Sequence, residues 1–145
     1  MAMRLRFHGV LAALMLAAGG CSTFNHDYDA ALRRQHAGIA GCWSGTWSSE
    51  SNGHHGTLRC ILTPHGENAY DARFRAVYCG LIPFEESVLL TGTDSGDLWR
   101  FRGEKDLGWL AGGIYQYTGE ATATKFMARY TSVHDRRIFE MTRHR

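Results

Sequence analysis

The sequence predicts an all-β fold, an eight-stranded antiparallel up-and-down barrel with a short N-terminal helix. Three observations lead there. From residue 41 onward the dominant hydrophobic period is two, the mark of half-buried strands. The links between these segments are short and mostly turn-like, which favours antiparallel neighbours, and closing eight such strands removes exposed sheet edges. No strand–helix–strand alternation appears, which argues against a parallel sheet. The chain of 145 residues suits one domain better than two. With 17 Gly and only 2 Pro it has the turn chemistry of a β-rich domain rather than the composition of a disordered one.

Residues 1–20 read as a secretory signal. Arg4 and Arg6 form a basic start, residues 10–18 are an apolar run too short to span a bilayer as a finished helix, and small residues follow as Ala17-Ala18-Gly19-Gly20-Cys21. The small residues before Cys21 resemble the lipobox of bacterial lipoproteins. That resemblance implies a chain acylated at Cys21, anchored in the cell envelope, with Cys21 as the mature N-terminus. Two or three acyl chains, palmitate among them, hold a protein firmly to a membrane. Ser22 after the cysteine, rather than Asp, implies the outer membrane, with the domain facing the periplasm. The alternative is an ordinary signal peptide cut nearby, with Cys21 incidental.

Residues 21–40 are expected to be a lipidated N-terminus and polar linker carrying a short helix at about 29–36, capped by Asp27 or Asp29 and ended between Gly38 and Gly41. The barrel occupies 41–145. Its first strand, about 42–48, sets Trp43 and Trp47 against Cys42, Ser44, Thr46 and Ser48, and Asn52-Gly53 is a favoured hairpin turn. The second, about 56–63, groups Leu58, Cys60 and Leu62. The third, about 69–79, groups Tyr70, Ala72, Phe74, Ala76 and Tyr78. The fourth, about 83–91, groups Phe84, Glu86, Val88 and Leu90. The fifth, about 97–103, turns Trp99 and Phe101 one way. The sixth, about 110–118, carries Tyr115 and Tyr117. The seventh, about 121–130, groups Phe126, Ala128 and Tyr130, and the eighth, about 136–143, groups Phe139, Met141 and Arg143.

The opposite faces carry Arg59, Arg73, Arg75, Arg100, Arg102, Lys125 and Arg129. A membrane-spanning barrel needs an apolar outer band, so these charges point to a barrel in water tethered through Cys21. Without Arg4 and Arg6 the 16 basic side chains fall to 14, equal to the 14 acidic ones. A nucleic-acid partner is therefore not expected.

Gly41-Cys42-Trp43 and Gly45-Thr46-Trp47, preceded by a short helix, resemble the Gly-x-Trp opening of the lipocalin and avidin-like barrels, the calycins. In that group an Arg near the end of the last strand packs over the Trp and closes the barrel base. Arg143 matches that position. An even strand count puts the start of strand one and the end of strand eight at the same end, so Trp43 or Trp47 is expected to meet Arg143 in a cation–π stack.

The inward rings, Tyr70, Phe74, Tyr78, Trp99, Tyr115 and Tyr117 among them, either line a site for a small apolar or aromatic ligand or fill the core outright. Glu86 shares that inward face and needs a partner, for which Arg143 is one candidate, or a place near a barrel mouth. Glu50, His54 and His55 in the first hairpin loop and His134 and Asp135 after strand seven fall at the end opposite the Gly-x-Trp, where imidazole and carboxylate suit a metal ion; adjacent His54 and His55 point apart, leaving His54, His134 and Asp135 as the set. Cys42, Cys60 and Cys79 form one disulfide or remain buried thiols. No cofactor is implied, and no motif unites nucleophile, base and oxyanion site. The expected function is non-catalytic: small-molecule binding or a structural role in the envelope. The alternatives are a proteinaceous inhibitor of a periplasmic or secreted hydrolase and a metal-binding accessory protein.

Overall fold

In the computed structural model, which describes residues 22–111 and 113–144, the alternating segments become β1 (Gly41–Ser49), β2 (His55–Pro64), β3 (Ala69–Tyr78), β4 (Ile82–Asp94), β5 (Trp99–Asp106), β6 (Ile114–Ala121), β7 (Lys125–Thr131) and β8 (Arg136–Arg143). Each strand is antiparallel to the next and β8 pairs with β1, so the all-β sheet is a closed eight-stranded barrel. The residues expected to point inward are the buried ones along most strands. Two boundaries move for local reasons. A 3₁₀ turn at Trp109–Ala111 delays β6 to Ile114. The Thr122 hydroxyl accepts the Lys125 N–H at 3.1 Å, making 122–124 a turn rather than the start of β7.

Curvature depends on glycine where strands press together. A Cβ on Gly45 would lie 1.9 Å from the Glu140 carbonyl oxygen across the β1–β8 seam. Only the missing side chain lets the first and last strands meet there.

Arg143 closes the end of the barrel where β1 begins, here called the base. Its guanidinium stacks over the Trp43 ring at 4.7 Å and donates to the carbonyls of Gly38 (2.6 Å), Ala40 (2.7 Å) and Ala123 (2.8 Å). Trp43 Nε1 donates to the Ile39 carbonyl at 2.9 Å. Trp47 pairs with Phe139 rather than Arg143; it lies four residues further along the same face, toward the open end.

The helix differs from expectation. It runs from Phe24 to Leu32 (α1), five residues earlier than 29, and residues 22–32 are docked rather than linker-like. The reason is its face: Phe24, Tyr28 and Ala31, at i, i+4 and i+7, bury against Cys42 on the outside of β1. The Ser22 hydroxyl accepts the Phe24 N–H at 3.2 Å, and Asp27 sits in the first turn, not at the cap. Arg59, Arg73 and Arg75, expected in free solvent, crowd the Phe24 ring at 5.5, 5.4 and 6.0 Å. Arg73 also pairs with Asp27 at 2.7 Å; a hydrogen bond from Thr23, then Arg73, holds the Asp27 carboxyl at about 2. Midway along α1, the Tyr28 hydroxyl donates to the Trp43 carbonyl at 3.0 Å. In chain order the helix therefore descends the wall, from Ser22 at Glu85 and Arg75 in the upper half toward the base. Arg100, Arg102, Lys125 and Arg129 remain exposed on the outer face.

Two outcomes follow. Arg143→Lys, which cannot make three diverging hydrogen bonds and a planar stack, should lower unfolding free energy by about 2 kcal/mol in urea titrations. Phe24→Ala should loosen α1 without opening the barrel. Among Cys42, Cys60 and Cys79, only exposed Cys79 should react quickly with a thiol reagent in the parent, whereas the variant should add Cys42 and leave Cys60 protected.

Candidate functional site

The barrel interior is filled. Trp99, Phe101, Phe126 and Trp43 form one chain of rings, with centroids 4.8, 5.0 and 5.9 Å apart in sequence. Phe74 stacks on Tyr117 at 5.9 Å and 7°. The void left between Trp47, Phe74, Glu86, Tyr117, Tyr130 and Arg137 measures about 20 Å³, room for one water. The seven residues considered for an internal ligand do not line one chamber. Phe74 and Tyr117 are core filling and Glu86 borders the small void. Tyr115 stacks on Tyr130 at 4.5 Å. Tyr78 sits at the open end, 6.1 Å from Trp47 and against His54. Tyr70 and Trp99 face the base, in edge contact at 5.1 Å. Phe84, expected inside, is about half exposed, because the first residues of β4 stand beyond the last packed ring layer.

Glu86 is buried at the upper edge of the core, and its Oε1 has no hydrogen-bond partner among the described residues. Burial raises its carboxyl above the ordinary range, against a hydrogen bond from Tyr117 and the positive charges of Lys105 and Arg137. Burial, then the Glu86 charge, raises the hydroxyls of Tyr117 and Tyr130 as well, so both stay neutral. Arg143 is not the partner of Glu86, since it is committed to carbonyls at the base. The cation at the mouth is Arg137, which lies over Trp47 at 4.9 Å and Tyr130 at 5.7 Å and donates to Asp135 at 2.6 Å. Ser49 donates to the other Asp135 oxygen at 2.8 Å. Burial opposes ionisation of Asp135, yet the bonds from Ser49 and Arg137 hold its carboxyl below the usual value.

These bonds bear on the metal reading. Asp135 is occupied by Ser49 and Arg137, and His54 Nδ1 lies 3.0 Å from the Tyr78 hydroxyl. Among the described residues no group of three His, Cys, Asp or Glu could hold a metal ion, so His54, His134 and Asp135 are not brought together as a site. Cys42, Cys60 and Cys79 are free thiols. Cys42 lies outside the sheet under α1 and Cys60 inside it, which keeps them unbridged; burial raises both, Cys42 to about 11, so neither is a ready thiolate. Cys21 lies outside the described residues.

The concavity that sequence reading missed is at the base. A half-open cleft of about 330 Å³ runs between Ile39, Tyr70, Trp99, Asp94, Asp97 and Thr122. Four separate segments build it: the loop after α1, the start of β3 with Tyr70, the β4–β5 turn and the β6–β7 turn. Two aromatic rings form its floor, carboxylates and hydroxyls its edge, and no basic side chain lines it. Asp94 and Asp97 looked like turn residues, and nothing in their spacing ties them to Tyr70. Trp99 packs against Gly92, where an added Cβ would meet Nε1 at 2.9 Å. Two other grooves, of about 400 and 360 Å³, are shallow troughs along the outer wall at 44–46 with 125–127 and at 91–93 with 100–102. They gather no comparable set of rings and carboxylates. No protein-family model matches the chain, and no curated protein matches it.

Glu86→Gln tests the electrostatics of the mouth. A carboxyl raised by folding contributes stability that is present below its unfolded value near 4.3 and lost as pH rises through its folded value. The parent thus bears a penalty at neutral pH that glutamine does not. The variant should gain about 1 kcal/mol at pH 7 and converge with the parent near pH 4, measured as unfolding midpoints across pH.

Proposed function

We propose that the chain is a lipid-anchored lipoprotein of the bacterial cell envelope, tethered through Cys21, whose water-soluble barrel is a non-catalytic binding module. Its ligand site is the cleft at the base, not an internal chamber. One observation carries this reading: the interior leaves about 20 Å³, while the base offers about 330 Å³, the lower end of the range for small-molecule sites. The lining favours a small amine-bearing or neutral polar molecule. Asp94 and Asp97 attract a cation, Tyr70 and Trp99 offer ring surface for its apolar part or its charge, and no basic side chain lines the cleft, Arg143 behind it being bonded to the Gly38, Ala40 and Ala123 carbonyls. The lipobox-like Ala17-Ala18-Gly19-Gly20-Cys21 supports the anchoring. The burial-raised thiols of Cys42 and Cys60 and the lack of a metal-holding cluster among the described residues support binding over chemistry.

The test is ligand-observed NMR with a panel of small amines and polyols. Binding by an amine should weaken at least tenfold in Tyr70→Ala and in Asp97→Asn, about 1.4 kcal/mol, and stay unchanged in Glu86→Gln. Binding that survives both cleft changes and disappears with Glu86→Gln would move the site to the mouth and defeat the proposal.

A further inference from the structure

The open end of the barrel is unlike the rest of its surface. Three of its four loops end in exposed apolar side chains: Leu81 and Ile82 in the β3–β4 turn, Trp109 and Leu110 in the β5–β6 connection, and Val133 in the β7–β8 turn. Leu81, Trp109, Leu110 and Val133 are each more than four-fifths exposed. Away from this end, the large apolar side chains that reach solvent among the described residues are Leu89 and Met127, each less than half exposed. The β1–β2 hairpin at this end, with Glu50, Asn52 and His54, is polar, and in the β7–β8 turn Val133 stands between Ser132 and His134-Asp135. The three loops are neighbours around the ring, so their apolar tips share one end of the barrel with the polar hairpin.

The N-terminal tether leaves the wall near this facet. The Ser22 hydroxyl donates to Glu85 and accepts from Arg75 at 3.2 Å, and Arg75 also pairs with Glu85. Glu85 is three residues from Ile82 on β4, about 10 Å along a strand. Cys21 is one Cα step of about 3.8 Å from Ser22. Phe24, fully buried beneath three guanidinium groups, stops the helix from swinging this attachment point to the base.

We propose that the open end is a membrane-docking face: Leu81, Ile82, Trp109, Leu110 and Val133 enter the interfacial layer of the phospholipid bilayer that holds the anchor. The occupant follows from position, because an anchor one residue before Ser22, which is docked at Glu85 in the upper half of the wall, brings a bilayer toward the neighbouring apolar facet. Trp at such a boundary, with an apolar ring body and a polar N–H, is the side chain best matched to the lipid–water interface. The proposal rests on the lipoprotein reading for its geometry, and it directs the cleft at the base away from the membrane.

The experiment uses the full chain purified from bacterial membranes and placed in vesicles of phosphatidylethanolamine and phosphatidylglycerol, with and without brominated acyl chains. Trp43, Trp47 and Trp99 are at least 96 % buried, so quenching from the lipid side reads Trp109. The proposal expects brominated lipid to remove a large part of the exposed-Trp emission, expects Trp109→Phe to abolish that response, and expects acrylamide quenching to fall several-fold on vesicle binding. Leu81→Glu with Val133→Glu should restore acrylamide access with the circular dichroism spectrum unchanged. Intact mass, read in parallel, reports acylation at Cys21. An acylated chain whose Trp109 stays open to acrylamide and silent to bromine overturns the docking face and leaves the lipoprotein reading standing. An unacylated chain whose Trp109 is still quenched by lipid removes the acyl anchor and keeps the face. An unacylated chain without quenching overturns both. A photo-crosslinker at Val133 that captures a protein while Trp109 stays silent to lipid overturns the proposal in favour of protein docking, as an inhibitor would require.

Discussion

Aromatic rings interlock across the inside of a closed eight-stranded sheet, and the other features of the structure follow from that packing. A barrel of this size has room for its own side chains or for one small guest. The chain from Trp99 through Phe101 and Phe126 to Trp43, and the parallel stack of Phe74 on Tyr117, take that room. Closure and filling support one another. Arg143 can cap the base only because Trp43 presents its face there, and Trp43 stands there only because Gly45 lets β8 press against β1. Binding at the two ends of such a solid core becomes a matter of loops.

The ends differ in chemistry because different segments reach them. At the base, the loop after α1 and two tight turns leave a cleft edged with carboxylates. At the other end, Glu86, the Tyr117 hydroxyl and Arg137 crowd under apolar loop tips, and the nearest void holds no more than a water. The acids of the upper half divide by their partners. Glu86 is hard to ionise because its burial is only partly offset by Tyr117. Burial also opposes ionisation of Glu85 and Asp135, yet Ser22 and Arg75, or Ser49 and Arg137, make those two easy to ionise. Acidification therefore relieves the mouth while loosening the seams that hold the helix and the last turn.

The helix gives the barrel a direction. Without α1 the wall of β1 to β3 would expose Cys42 and a row of arginines. With it, Phe24 and Tyr28 are covered, Arg59, Arg73 and Arg75 become part of the packing, and the point where the chain joins the wall is held in the upper half. Burial of the Phe24 side chain supplies on the order of 2 kcal/mol toward docking α1, alongside the burial of Tyr28 and the ion pairs at Asp27 and Glu85.

Strand number, inward faces and the closure of β8 on β1 were legible in the sequence, because a sheet with one buried face must repeat every second residue and Trp43 and Arg143 fall on the same phase. The helix was legible as an element but not in its place, since Phe24 and Tyr28 look unremarkable until Cys42 and three arginines surround them. Whether the rings leave a cavity could not be read from the order of residues, because alternation states which way a side chain points and not how far it reaches. The same limit hid the base cleft, whose Tyr70 comes from β3 and Asp97 from the β4–β5 turn, and dispersed the expected metal set, because Asp135 met Ser49 and Arg137 while His54 met Tyr78. Period and phase are properties of a single strand. Cavities, partners and the polarity of the two ends arise only when eight strands and a helix share one space.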